Sequence, residues 1–189
     1  MTILGLTGSI GMGKSTTAAM FAEAGIPVWD ADATVHTLYA EGGAAVPAIG
    51  AAFPGTIAAG AVDRDALRAI VTADSGALDR LNAIVHPLVA EDRAAFLDGR
   101  TGLVVLDVPL LFETGLDATC DRIAVVSVDA AIQRARVLER GGMDAAQLDA
   151  ILARQVPDAE KRARADYVID TSTLVSAQDM VATIIAELT

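Results

Sequence analysis

The sequence is short of several things, and each shortage removes a class of protein. One cysteine, Cys120, in 189 residues permits no internal disulfide and no thiolate metal cluster, which fits a reducing compartment. No apolar run approaches the roughly 20 residues that a membrane-spanning helix needs. The opening MTILGLTGS has neither the basic stretch nor the small-residue cleavage site of a secretory signal, so a cytoplasmic protein with no membrane partner is expected. Positive charge is scarce: 14 Lys+Arg against 25 Asp+Glu leave a net charge of -11. That argues against a nucleic-acid partner, because wrapping nucleic acid takes broad basic surfaces. The only lysines are Lys14 and Lys161, and the only asparagine is Asn82.

What is present suits one globular domain. A hydrophobic share of 53% with 21% charged residues can bury a sizeable core. Residues 2–7 (TILGLT), Val28 and Trp29, 103–108 (LVVLDV), 123–128 (IAVVSV) and 167–170 (YVID) read as short strands, several of them continuous β-branched runs buried on both faces. Between them lie helical segments with start signals: TTAAMFAEA, stopped by Gly25 and Pro27; a helix after Asp129; one after Asp144 with Gln147 three residues on; and one after Ser176 with Asp179 three residues on. Strand and helix alternate, which predicts a parallel sheet flanked by helices, with ligands at the carboxyl ends of the strands. Residues 33–98 differ. They contain no buried-type strand, and their spacing predicts only helices: Ala33 to Glu41, Asp63 to Ala73, Leu78 to Val85 and Leu88 to Leu97, the last two separated by Pro87.

Residues 8–16, GSIGMGKST, fit G-x-x-x-x-G-K-[ST] through Gly8, Gly13, Lys14 and Ser15, between an apolar strand and a helix as that motif requires. Its glycines let backbone N–H groups curl around phosphate oxygens, and Gly11 adds freedom. Lys14 can reach β- and γ-phosphates, Ser15 can ligate Mg²⁺, and the helix start presents its positive end to the anion. Met12 and Thr16 complete the expected ATP cradle. Asp107, closing LVVLD, stands where a second metal-directed carboxylate is usual in such proteins, although strand-end acids also simply form turns. A regulatory GTPase would need N-K-x-D, yet Asn82 is followed by alanine, and no L-S-G-G-Q signature of a transporter ATPase is present. A small-molecule kinase fits better. A nucleoside or nucleotide kinase and a nucleotide-dependent binding switch stay open at this point.

Seven stretches, LTGSIGMGKST (6–16), GIPVWDAD (25–32), LNAIVHPLV (81–89), LDVPLLFE (106–113), RARVLERGG (134–142), ILARQ (151–155) and ADYVID (165–170), together resemble the dephospho-CoA kinase family, which transfers phosphate from ATP to the ribose 3′-hydroxyl of dephospho-coenzyme A. The resemblance spans essentially the whole chain. It implies a three-layer α/β P-loop kinase core (1–32, 99–132 and 165–189), a helical coenzyme-A-binding insertion (33–98) and a small lid (133–164), with a monomer favoured. The substrates would be ATP and dephospho-CoA, with Mg²⁺ as cofactor.

The resemblance also implies roles. Asp32 matches the second acid of the D-A-D motif and would orient or deprotonate the acceptor hydroxyl, with Asp30 supporting; a plain helix cap before ATVHTLYA is the structural alternative. His86, ahead of Pro87, would touch the acceptor or sit at a helix junction. Leu110 and Glu113 match P-L-L-x-E, where the leucines pack and Glu113 serves the acceptor site or faces solvent. Seven of the fourteen basic residues lie between 133 and 164. Of these, Arg136 and Arg140, four apart on one helical face, resemble lid arginines that clamp phosphates. Arg134, Arg154, Lys161, Arg162 and Arg164 read as a solvated basic face. Where the family continues after ADYVID with an asparagine and a glycine near the adenine, this chain has Thr171-Ser172-Thr173.

Overall fold

A computed structural model describes residues 1–189. The chain divides into two compact units, Met1–Asp30 with Arg100–Thr189, and Ala31–Gly99. The first is built on five parallel strands: β1 (Thr2–Thr7), β2 (Val28–Asp30), β5 (Leu103–Asp107), β6 (Arg122–Ser127) and β7 (Tyr167–Asp170), in the order β2-β5-β1-β6-β7. All of β5 and the last four residues of β1 and of β6 are buried. Such strands need cover on both faces, and helices supply it: α1 (Lys14–Glu23) lies on β1, β2 and β5, α8 (Asp158–Arg164) on β6, and α9 (Leu174–Leu188) on β7. Leu4, Leu6, Phe21, Val105, Val126, Ile169 and Ile184 form the centre of this core.

Local chemistry sets the element ends. Helix α1 stops in a Schellman arrangement: the Ile26 N–H donates to Phe21 O at 3.0 Å and the Gly25 N–H to Ala22 O at 2.9 Å. Gly25 takes the left-handed conformation (φ 82°) that this stop requires. Asp129 caps α6 (Ala130–Glu139), and Asp144 with Gln147 makes a full capping box on α7 (Ala145–Leu152). One expected start moves. Helix α9 begins at Leu174, not after Ser176, because the extended Thr173 turns its hydroxyl back to accept the Ser176 N–H.

The second unit comprises α2 (Ala31–Tyr39), α3 (Val46–Ala52), a hairpin of β3 (Ile57–Ala58) and β4 (Ala61–Val62), α4 (Arg64–Ala73) and α5 (Ala77–Leu97). The expectation of helices alone, with a break at Pro87, is corrected on both counts. The hairpin forms because Ala59 (φ 49°) and Gly60 (φ 76°) both take positive φ, the requirement of a two-residue type I′ turn. Helix α5 also runs unbroken through Pro87. Losing one backbone bond there costs about 3 kcal/mol, which is offset by Leu81, Ile84, Val85, Leu88 and Val89 packing on both sides of it into the unit's apolar cluster. No helix in the chain is long and apolar enough to cross a membrane.

Candidate active site

The loop after β1 sits at the carboxyl edge of the sheet. It lies so close to β6 that a Cβ on Gly8 would stand 2.3 Å from Val126 Cγ2 and 2.9 Å from Val126 O, so only glycine fits. Gly13, in the left-handed region (φ 88°), turns the chain into α1. The first N–H groups of that helix have no intrahelical acceptor and suit an anion. Three side chains hold the loop from outside. Gln133 Nε2 donates to Ile10 O at 2.7 Å, the Ile10 N–H donates to Gln155 Oε1 at 3.4 Å, and Thr171 Oγ1 donates to Met12 O at 2.7 Å.

Lys14 reaches Asp107, with Nζ 2.6 Å from Oδ1; the lysine side chain is 14% exposed and the aspartate 2%. Asp30 lies beside Asp107 in the register of β2 on β5, and Ser15 is exposed in the first turn of α1. The strand order thus brings one hydroxyl, two carboxylates and one ammonium to one end of the sheet. Nowhere in the chain do three or more His, Cys, Asp or Glu side chains gather as a metal cage. A hard cation that keeps several waters and takes phosphate oxygens, as Mg²⁺ does, fits such a sparse oxygen set.

Beside the loop opens a cleft of about 360 Å³ lined by Gly11, Gly13, Thr16, Arg136, Arg140 and Thr171, among others. Arg136 donates from Nη2 to Thr171 O at 2.7 Å; Arg140 caps α6 and is exposed. Asp170 organises the turn below: the Ser172 N–H, then the Ser172 hydroxyl, hold its carboxyl below the usual range. The Thr171-Ser172-Thr173 segment is therefore an ordered part of the cleft wall.

Other expectations shift. Lys161 is not part of a solvated face: it is fully buried, its Nζ 2.9 Å from Glu113 Oε1. The angles of that approach fall outside hydrogen-bond geometry, so it is a contact of charges. Burial pushes the Glu113 carboxyl up, but the Lys161 ammonium and the Val156 N–H, 2.8 Å from Oε1, outweigh this and hold it below the ordinary value. Glu113 is thus mostly buried against Lys161, with 15% of its side chain exposed. Leu111 packs fully, whereas Leu110 stays 42% exposed. Arg164 is engaged by Asp117 at 2.7 Å and stacks 4.2 Å above the Phe112 ring, while Arg134 pairs at the surface with Asp149. In the second unit, Asp32 lies exposed within the first turn of α2, which starts at Ala31, so it is not the residue before the helix. His86 is exposed inside α5, not at a junction.

Sequence reasoning brought Lys14, Asp107, Arg136 and Arg140 to this end of the sheet. It missed Gln133, Gln155, Thr171 and Lys161. For Gln155 a signal existed, as the last residue of ILARQ; Gln133, buried on α6 between Ile132 and Arg134, gave none.

Comparison with known proteins comes out uniformly. A family model described as Dephospho-CoA kinase matches residues 2–176. The Dephospho-CoA kinase of Cereibacter sphaeroides is 58% identical over 98% of this chain and 94% of its own. That of Bradyrhizobium diazoefficiens is 56% identical, over 99% and 96%. A crystal structure from Thermus thermophilus aligns with a TM-score of 0.87 at 32% identity, covering 100% of this chain and 98% of that one. A dephospho-CoA kinase from Campylobacter jejuni has the same fold, with a TM-score of 0.67 at 22% identity, over 100% and 97%.

Proposed function

This chain belongs to the dephospho-CoA kinase family, and we propose that the groups gathered around its phosphate loop hold Mg²⁺ and ATP for the transfer. The reaction is the ATP-dependent phosphorylation of the ribose 3′-hydroxyl of dephospho-coenzyme A, the last step of coenzyme A synthesis. The bond from the γ-phosphorus to the ADP oxygen breaks, one to the 3′-oxygen forms, and the hydroxyl proton leaves to a base.

The observation that carries the assignment of roles is the 2.6 Å contact of Lys14 with Asp107 at the mouth of the loop. Without nucleotide each neutralises the other. With nucleotide, Lys14 turns to the β- and γ-phosphates, and Asp107 with Ser15 would hold Mg²⁺, which offsets charge building on the transferred group. Arg136 and Arg140 close on the phosphates from a lid, residues 133–164, and so keep water from the phosphoryl group. On the acceptor side Asp32 takes the hydroxyl proton, and His86 and Leu110 contact the acceptor. Glu113, held in place by Lys161, supports the acceptor site. The enzyme works as a cytoplasmic monomer.

ADP release in a coupled assay tests this. Dephospho-coenzyme A should raise turnover strongly over the acceptor-free rate, and nucleosides should not. Equal stimulation by nucleosides, or none by any acceptor, would sink the reading.

A further inference from the structure

We propose that Gln133 and Thr171 are positioning residues that set two peptide planes of the phosphate loop, and thereby aim the N–H groups of Gly11 and Gly13 into the cleft. In a trans peptide the C=O of one residue and the N–H of the next point in opposite directions. The structure has no cis peptide. Gln133 Nε2, on a side chain 5% exposed, holds the Ile10 carbonyl at 2.7 Å, so the Gly11 N–H is turned the other way. Thr171 Oγ1 holds the Met12 carbonyl at 2.7 Å, which turns the Gly13 N–H in the same sense. Both glycines line the cleft. The two grips alternate along the loop, one peptide apart.

Independent contacts fix the same geometry. A Cβ on Gly11 would stand 2.5 Å from Val137 Cγ2 and 3.2 Å from Gln133 O, so the loop rests on the face of α6 that carries both residues. The preceding plane is tied by the Ile10 N–H to Gln155 Oε1. Glycine-rich backbone rotates at little cost, and a rotated plane would present a carbonyl, not an N–H, to an anion. Thr171 is also where this chain departs from the asparagine expected by resemblance. Its hydroxyl donates to the Met12 carbonyl, and its own carbonyl accepts from Arg136 at 2.7 Å.

The inference rests on the reading of this loop as a phosphate cradle, and the test separates the two. Binding of pyrophosphate, ADP and adenosine is measured by calorimetry on the wild-type chain and on Gln133→Met, Thr171→Val and Thr171→Ser, with melting temperature as the fold control. Pyrophosphate and ADP should each bind about tenfold more weakly to Gln133→Met and to Thr171→Val, the size expected when a hydrogen bond to a part-buried or buried carbonyl is lost. Thr171→Ser keeps the hydroxyl and should stay within about twofold of wild type. Adenosine, which lacks phosphate, should not respond. Unchanged pyrophosphate binding in both Gln133→Met and Thr171→Val overturns the inference, and so does a loss confined to adenosine. A wild-type chain that binds neither pyrophosphate nor ADP overturns the cradle itself.

Discussion

The chain's two lysines are both held by carboxylates, and the two pairs are mirror images in access. At the phosphate loop the aspartate is the deeply buried partner (2% exposed) and the lysine keeps some solvent (14%). In the pair under α8 the lysine is sealed (0%) and the glutamate keeps 15%. An ammonium at an open edge can leave its partner for a phosphate. A sealed one has no other anion to reach, and desolvation makes its isolation expensive. The same two groups therefore serve a movable site in one place and a fixed joint in the other, and access decides which.

Substitutions can pull this contrast apart, the largest effect first. Lys161→Met strands the Glu113 carboxylate and should cost about 3–5 kcal/mol in denaturant unfolding; a loss below about 1 kcal/mol would make the pair incidental. Lys14→Arg keeps a positive charge beside Asp107 but replaces a compact ammonium with a planar fork. Turnover should fall about 10²–10³-fold, with the melting temperature little changed. Near-normal turnover there would erase the distinction between the pairs. Asp32→Asn, at an exposed position of the helical unit, should lower turnover by about two or more orders of magnitude while ATP affinity holds. Normal turnover would leave Asp32 a surface acid.

The smallest effect is on acid stability. Glu113 has a folded pKa below its unfolded value, so its contribution is fully present above the ordinary carboxylate value of about 4.3 and is lost as pH falls through the folded one. Melting temperature followed from pH 7 downward should drop more steeply below about pH 4.3 in the wild-type chain than in Lys161→Met. Parallel curves would remove Glu113 from the acid response.

These contrasts also mark what could be read from the chain in advance. The strands, the loop and most caps were legible because each is written in a short contiguous stretch: an apolar run, a glycine pattern, Asp144 with Gln147. The hairpin at 57–62 was not, because its turn uses alanine at a positive φ where Asn-Gly would have announced it. Helix α5 hid behind a rule about proline that flanking apolar packing overrides. At the site, Lys14 belonged to a motif, whereas Lys161 sat in the charged run DAEKRAR, where nothing distinguishes the inward position from its neighbours. Its partner is Glu113, remote in sequence, and only the fold joins them. Gln133 and Thr171 were hidden for a related reason, since their partners are backbone carbonyls, which have no letter in a sequence.

The placing of the two lysines gives the surface an unusual reactivity. With Lys161 sealed and Lys14 paired at the loop, no lysine ammonium stands open on the surface. An acylating reagent should therefore spare Lys161 in the folded chain, attack Lys14 slowly, and be blocked there by ADP. Mass spectrometry of such a reaction would report nucleotide occupancy from a single modified side chain.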